Sequence, residues 1–126
     1  MFKMIIYSVL FLIINMFGVI STEKPSIMKT VTEHKVFENA SYILQCVIVS
    51  GSQPILFEWF KHSTVLSSSI YKIDTYETLS SLTLKHLKPN DSGLYRCKAS
   101  NIFGSDAIET NLIVQGLSRS FVTICR

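Results

Sequence analysis

Short runs of alternating apolar and polar residues recur along the chain between residues 26 and 115. Leu44, Cys46 and Ile48 alternate with Gln45 and Val47. Ile55, Phe57 and Trp59 alternate with Leu56, Glu58 and Phe60. Leu82 and Leu84 flank Thr83, Tyr95, Cys97 and Ala99 enclose Arg96 and Lys98, and Leu112 and Val114 flank Ile113. A period of two puts one set of side chains on a buried face and the other outward, so each run predicts a half-buried strand. Turn-forming clusters separate the runs: Ser50 to Pro54, Ser67 to Ser69, Lys88 to Gly93, and Asn101 to Ser105. No apolar stripe of period 3.6 is sustained here. Many short strands at this spacing predict an all-β antiparallel sandwich or barrel.

The N-terminus follows a different pattern. Lys3 is the only charge before Glu23, and the stretch from Met4 to Ile20 is apolar except for Ser8, Asn15 and Gly18. A basic start, an apolar run and then small polar residues predict a secretory signal peptide over residues 1–21. Cleavage after Ser21 puts Val19 and Ser21 at the positions where small residues are preferred, with Gly18 as the alternative. As a membrane anchor the run sits at the short edge of the ~17–25 residues needed, and no basic stop-transfer cluster follows. The product is therefore expected to be secreted and extracellular. Cell-surface attachment would come only through sequence missing from this chain.

Composition narrows the class. The chain has 126 residues, enough for one domain; 48% are apolar and 17% charged, which excludes a disordered chain. Removing the leader brings the apolar share down to that of an ordinary small domain. A net charge of +3, scattered along the chain, gives no reason to expect a nucleic-acid partner.

The cysteines choose between sandwich and barrel. In an oxidising compartment they read first as bridge partners. Cys46 and Cys97 fall on the apolar faces of their strands with 50 residues between them, and Trp59 follows the first by 13. A bridge between two facing sheets with an indole packed on the sulfurs explains that spacing. Closing such a loop contributes about 4 kcal/mol in the chain-entropy model. In Asp91-x-Gly93-x-Tyr95-x-Cys97 the tyrosine is placed to bond back to the backbone ahead of its strand. Asp91 can accept from the turn amides or pair with a cation such as Lys72, and Gly93 leaves room where the chain enters the strand.

Cys46, Trp59, Leu82-x-Leu84, Asp91-x-Gly93-x-Tyr95-x-Cys97 and Ala99-Ser100-Asn101-x-x-Gly104 together resemble an immunoglobulin domain of the I-set over residues 24–115. The resemblance implies an immunoglobulin-like Greek-key sandwich with one inter-sheet disulfide. Strands A, A′, B, D and E would lie in one sheet and C, F and G in the other, with no room between Phe60 and Ser69 for the C′C″ hairpin of a variable domain. The Gly51-x-x-Pro54 loop, Thr78 to Leu84, and Arg96 to Asn101 are similar to domains of the arthropod Down syndrome cell adhesion molecule family. That family implies cell-surface recognition, homophilic or between related immunoglobulin proteins.

No catalytic residue, cofactor or metal is expected. His34, His62 and His86 fall at separated points of the fold, and no metal-ligand spacing or phosphate loop is present. Binding is the stronger reading. With Cys46 inward, Ile43, Val47 and Val49 face out on strand B. Leu56 and Phe60 face out on C, beside Leu94 and Ile113. This C–F–G face, with Arg96 and Lys98, is the candidate binding face; Lys61 would extend those two cations into a basic stripe. Asn39 and Asn90 each begin an N-glycosylation acceptor triplet. The tail, residues 116–126, has no linker to a following domain. It reads either as a truncated piece of a longer receptor or as the end of a one-domain secreted protein, with Cys125 a free thiol able to bridge to a second chain. The leading function is an extracellular protein-binding module of a cell adhesion or recognition protein. The alternative is a soluble immune or decoy factor that binds microbial or host ligands.

Overall fold

The computed structural model describes residues 2–16 and 22–116. Phe2–Met16 form helix α1, whose side chains from Phe2 to Ile13 are exposed. No helix among the described residues is long and apolar enough to cross a membrane. The two expected cleavage positions, the tail from residue 117 and Cys125 lie outside the described residues.

Nine strands follow among the described residues: β1 (Ser26–Ile27), β2 (Glu33–Phe37), β3 (Tyr42–Ser50), β4 (Leu56–Lys61), β5 (Thr64–Val65), β6 (Lys72–Thr75), β7 (Leu79–Leu84), β8 (Gly93–Asn101) and β9 (Gly104–Gln115). They form two sheets, one in the order β1-β3-β7-β6 and the other β2-β9-β8-β4-β5. The alternation read from β3, β4, β7, β8 and β9 decides which side faces in: Leu44, Cys46, Ile48, Trp59, Leu82, Leu84, Cys97, Ala99, Leu112 and Val114 are all buried between the sheets.

The Cys46–Cys97 disulfide joins β3 to β8 across the core, with Cα atoms 6.3 Å apart. Trp59 packs in the same cluster, and its Nε1–H donates to Ser80 Oγ at 2.9 Å. Ser80, itself buried, also meets Thr75 Oγ1 at 3.0 Å. The one polar atom of the indole is thus satisfied inside an apolar core, where leaving it unpaired would be costly. A short 3₁₀ turn, Pro89–Asp91, leads into β8. There Tyr95 Oη donates to the Asp91 carbonyl at 2.6 Å. Burial first, and the nearby Asp91 charge second, raise the phenol above its usual range, which keeps it a donor. Asp91 Oδ2 accepts from Lys88 N at 2.8 Å. The alternative partner Lys72 instead faces Asp74 at 4.0 Å, its neighbour along the same edge strand. Gly93 has φ +153°, and a Cβ there would stand 2.7 Å from His62 Nε2.

Two features differ from the expected arrangement. Strand A′, β2, does not join the sheet of strand B; it pairs in parallel with β9, from Glu33 opposite Asn111 to Phe37 opposite Gln115. The switch occupies an edge of β9 that would otherwise carry five residues of unpaired backbone. Asp106 helps to fix the crossover: its Oδ2 accepts from Ile27 N at 2.9 Å and faces Lys29 Nζ at 3.6 Å, while Oδ1 accepts from Ala107 N at 2.9 Å. The second difference is β5, a two-residue C′ strand on the edge of β4. There is no further C″ strand among the described residues.

The amide of Ile27 above all, then that of Ala107 and the Lys29 charge, hold the Asp106 carboxyl below its ordinary value of 3.8. A group depressed in the folded state stabilises fully above its unfolded pKa and loses that contribution as pH falls through the lower folded value. Asp106→Asn is therefore expected to lower stability at neutral pH, with the gap from wild type closing below about pH 4. Urea midpoints between pH 2 and pH 7 would read this, and a gap constant over that range would refute it.

At one end of the sandwich a single side chain ties three segments together. Asn101 Nδ2 donates to the carbonyls of Glu23 and Ser52 at 2.8 and 2.9 Å, and its Oδ1 accepts from the amides of Phe103 and Gly104. Glu23 and Ser52 are bonded to each other as well, through Ser52 N and Glu23 O at 2.9 Å. At the opposite end, Asn39 N bonds Leu87 O and joins the β2–β3 turn to the segment before the 3₁₀ turn.

Candidate protein-interaction surface

The outer face of the β4–β8–β9 sheet follows from register. Glu58 lies opposite Lys98, which lies opposite Ala107; one rung along, Phe60 lies opposite Arg96, which lies opposite Glu109. The apolar residues singled out on this face are therefore split. Leu56, 62% exposed, sits beyond the Glu58–Lys98 rung, whereas Phe60, Leu94 and Ile113 sit on the other side of it. Phe60 and Ile113 are only half-exposed, and the Arg96 guanidinium lies 6.0 Å from the Phe60 ring centroid. Lys61 does not extend a basic stripe here. Its position on β4 has the inward parity of Trp59, and at the rim its Nζ donates to Asn90 O at 2.7 Å and lies 5.6 Å from the Tyr95 ring centroid. Arg96 and Lys98 are flanked by Glu109 and Glu58, so the face is a charge checkerboard.

The other sheet presents something different. On β3 the outward positions are Ile43, Gln45, Val47 and Val49. Val47 lies opposite Leu79 on β7. On the far side of β7, Tyr76 N bonds Leu79 O, and on the near side Met28 N bonds Val47 O. Ile27 points into the core and Met28 outward; Thr75 reaches the buried Ser80 and Tyr76 points outward. A row Met28–Val47–Leu79–Tyr76 thus crosses the sheet, with Val49 beside it, and no charged side chain interrupts it. Met28, Val49 and Tyr76 are 46%, 56% and 66% exposed. Lys29 and Glu77 border its two ends, and the ion pair Lys72–Asp74 borders the β6 edge. An apolar centre with a charged rim is how protein-binding patches are built.

Sequence reasoning found Val47 and Val49 from strand parity. It missed Met28, Leu79 and Tyr76. The alternation of Met28 with buried Ile27 spans only two residues, and Tyr76 lies in the β6–β7 connection, where no period applies. The three histidines stay apart: His34 stacks near Tyr42 with ring centroids 5.2 Å apart, while His62 and His86 occupy left-handed turn positions. Among the described residues no three metal-ligating side chains come together. The glycosylation candidates Asn39 and Asn90 are both exposed, at the end of the sandwich away from Asn101.

The immunoglobulin I-set domain family model matches residues 25–114. Smooth-muscle myosin light chain kinase of Gallus gallus is 32% identical over 95 residues, covering 75% of this chain and 5% of the kinase. Cell adhesion molecule DSCAML1 of Gallus gallus is 36% identical over 73 residues, covering 57% of this chain and 4% of that protein. Among solved structures, the titin I-band fragment I67–I69 superposes with TM-score 0.67 at 29% identity, covering 74% of this chain and 33% of that one. The chain spans less than a tenth of the length of these curated relatives, which include both cell adhesion and muscle proteins.

Proposed function

The chain belongs to the immunoglobulin I-set family, and from that premise we propose that it is the extracellular protein-binding module of a cell adhesion or recognition protein, docking a like domain through its β1–β3–β7–β6 sheet. The fold is typically a non-catalytic interaction module, and the function lies in its surface rather than in the fold itself. The observation that carries the reading is the uninterrupted apolar row Met28–Val47–Leu79–Tyr76 with its charged rim. The opposite face is the weaker candidate. Its centre holds Arg96 and Lys98, and charged groups are depleted from interface centres because desolvating them costs more than an apolar contact. A partner with the same neutral, apolar surface, the same or a related immunoglobulin domain, matches the row in character. The apolar N-terminal run supports export, as does a disulfide suited to an oxidising compartment.

Beads coated with the secreted protein are expected to cluster. Val47→Lys, at the middle of the row, should weaken clustering by roughly tenfold or more, the effect of losing a central contact worth over ~1 kcal/mol. Leu56→Lys, on the checkerboard face, should leave it unchanged. Wild-type beads that stay dispersed at every salt concentration would reject self-association and favour the soluble-factor reading. Equal loss from both variants would reject the choice of sheet.

A further inference from the structure

We infer that Asn39, and not Asn90, carries an N-linked glycan; the inference rests on the extracellular reading above. Both residues begin an Asn-x-Ser triplet, but the fold treats the two triplets oppositely. Asn39 stands in the turn between β2 and β3 with φ +68° and is exposed. The backbone around it is fixed by Asn39 N to Leu87 O at 2.8 Å, Ala40 N to Phe37 O at 3.2 Å and Leu87 N to Ala40 O at 3.0 Å. The side chains of Asn39 and Ser41 form no hydrogen bond among the described residues. The turn is a firm pedestal that presents the acceptor amide and the serine hydroxyl to solvent.

The second triplet is consumed by the fold. The carbonyl of Asn90 accepts from Lys61 Nζ at 2.7 Å. Asp91 is held at both ends, its carbonyl by Tyr95 Oη and its carboxylate by Lys88 N. Ser92 N donates to Pro89 O at 3.2 Å, and Ser92 Oγ accepts from Val114 N at 2.9 Å, which locks the hydroxyl against β9. Reading the triplet at Asn90 would require undoing the turn that starts β8 and its contact with the last strand. At Asn39 the backbone is bonded too, but the acceptor amide and the Ser41 hydroxyl are not drawn into the fold as the Ser92 hydroxyl is.

In the modification, Asn39 Nδ2 attacks C1 of a lipid-linked oligosaccharide diphosphate. A C–N bond replaces the C–O bond, the lipid diphosphate leaves, and the nitrogen loses one proton. The position also has meaning for docking. Asn39 precedes the start of β3 at Tyr42, and Val47 lies five residues into that strand, about 17 Å along it at ~3.3 Å per residue. The sugar would cover one end of the sandwich and leave the apolar row open.

The test is expression of the full chain in a glycosylating secretory host, with enzymatic deglycosylation read by gel shift and by isotope labelling of the released asparagines. The expected result is one shift, label at Asn39 in most copies, and little at Asn90. Asn39→Gln should remove the shift. Ser41→Ala, which leaves the left-handed backbone position intact, should do the same, while Asn90→Gln should change nothing. In a chain lacking both Cys46 and Cys97, recovered from the cell lysate because it is not expected to be secreted, unfolding should release Ser92 from Val114 and label at Asn90 should rise. Comparable label at both sites in the wild-type chain, or a shift that survives Ser41→Ala, would overturn the assignment. A secreted chain without any shift overturns it alone. A chain never exported overturns it together with the extracellular reading.

Discussion

Replacing Cys46 and Cys97 together with alanine is expected to abolish secretion and to lower unfolding free energy by about 2–5 kcal/mol. The bridge closes a loop with a sequence separation of 51 and joins strands of opposite sheets, so it restricts the unfolded chain strongly. Both sulfurs are fully buried, and alanine leaves two adjoining voids at the centre of the cluster around Trp59. Against a total of about 5–15 kcal/mol for a domain this size, the loss leaves a large unfolded fraction. Urea unfolding with and without reductant, beside immunoblots of medium and cell lysate, would measure it. Normal secretion with an unshifted midpoint would contradict the account.

Trp59→Ala should come close in effect, at about 3–5 kcal/mol. The indole fills the space beside the disulfide, and its removal also leaves Ser80 without its donor in a buried position. Trp59→Phe separates the two contributions. It restores much of the packing, and Ser80 keeps its contact with Thr75 Oγ1; the loss should fall to the ~1–3 kcal/mol of a missing buried hydrogen bond plus a small void. If Ser80→Ala added to Trp59→Phe cost as much again as it does alone, the hydrogen bond would not be the coupling between the two residues.

The fold was legible where strands are long enough to show a period. The strands β3, β4 and β8 run for six to nine residues, and Cys46, Trp59 and Cys97 sit at inward positions whose spacing two facing sheets explain. The sheet switch of β2 was not legible. It depends on Asp106, distant in sequence from Ile27, and on an open edge of β9, neither of which leaves a local signal in residues 26–37. The surface was half legible for the same reason. Parity gave the direction of Val47 and of Leu56, but whether outward residues adjoin is a matter of register between strands. Register joined Val47 to Leu79 and placed Glu58 and Lys98 between Leu56 and Phe60. Lys61 misled because it ends β4, where an inward parity opens onto the rim and a long side chain can turn back to Asn90.

The four hydrogen bonds made by the Asn101 side chain bear on how this end of the molecule can fluctuate. Three loops tied separately to the sandwich would fray independently, each with its own small opening free energy. Here the Asn101 amide binds the N-terminal segment, the β3–β4 connection and the β8–β9 hairpin to one another, and direct bonds between Glu23 and Ser52 reinforce the first two. The end therefore opens as one cooperative unit or stays shut. Because Asn101 meets only backbone carbonyls and amides, the side chains of the three loops can vary while the fastening is kept, and the constraint falls on Asn101 itself.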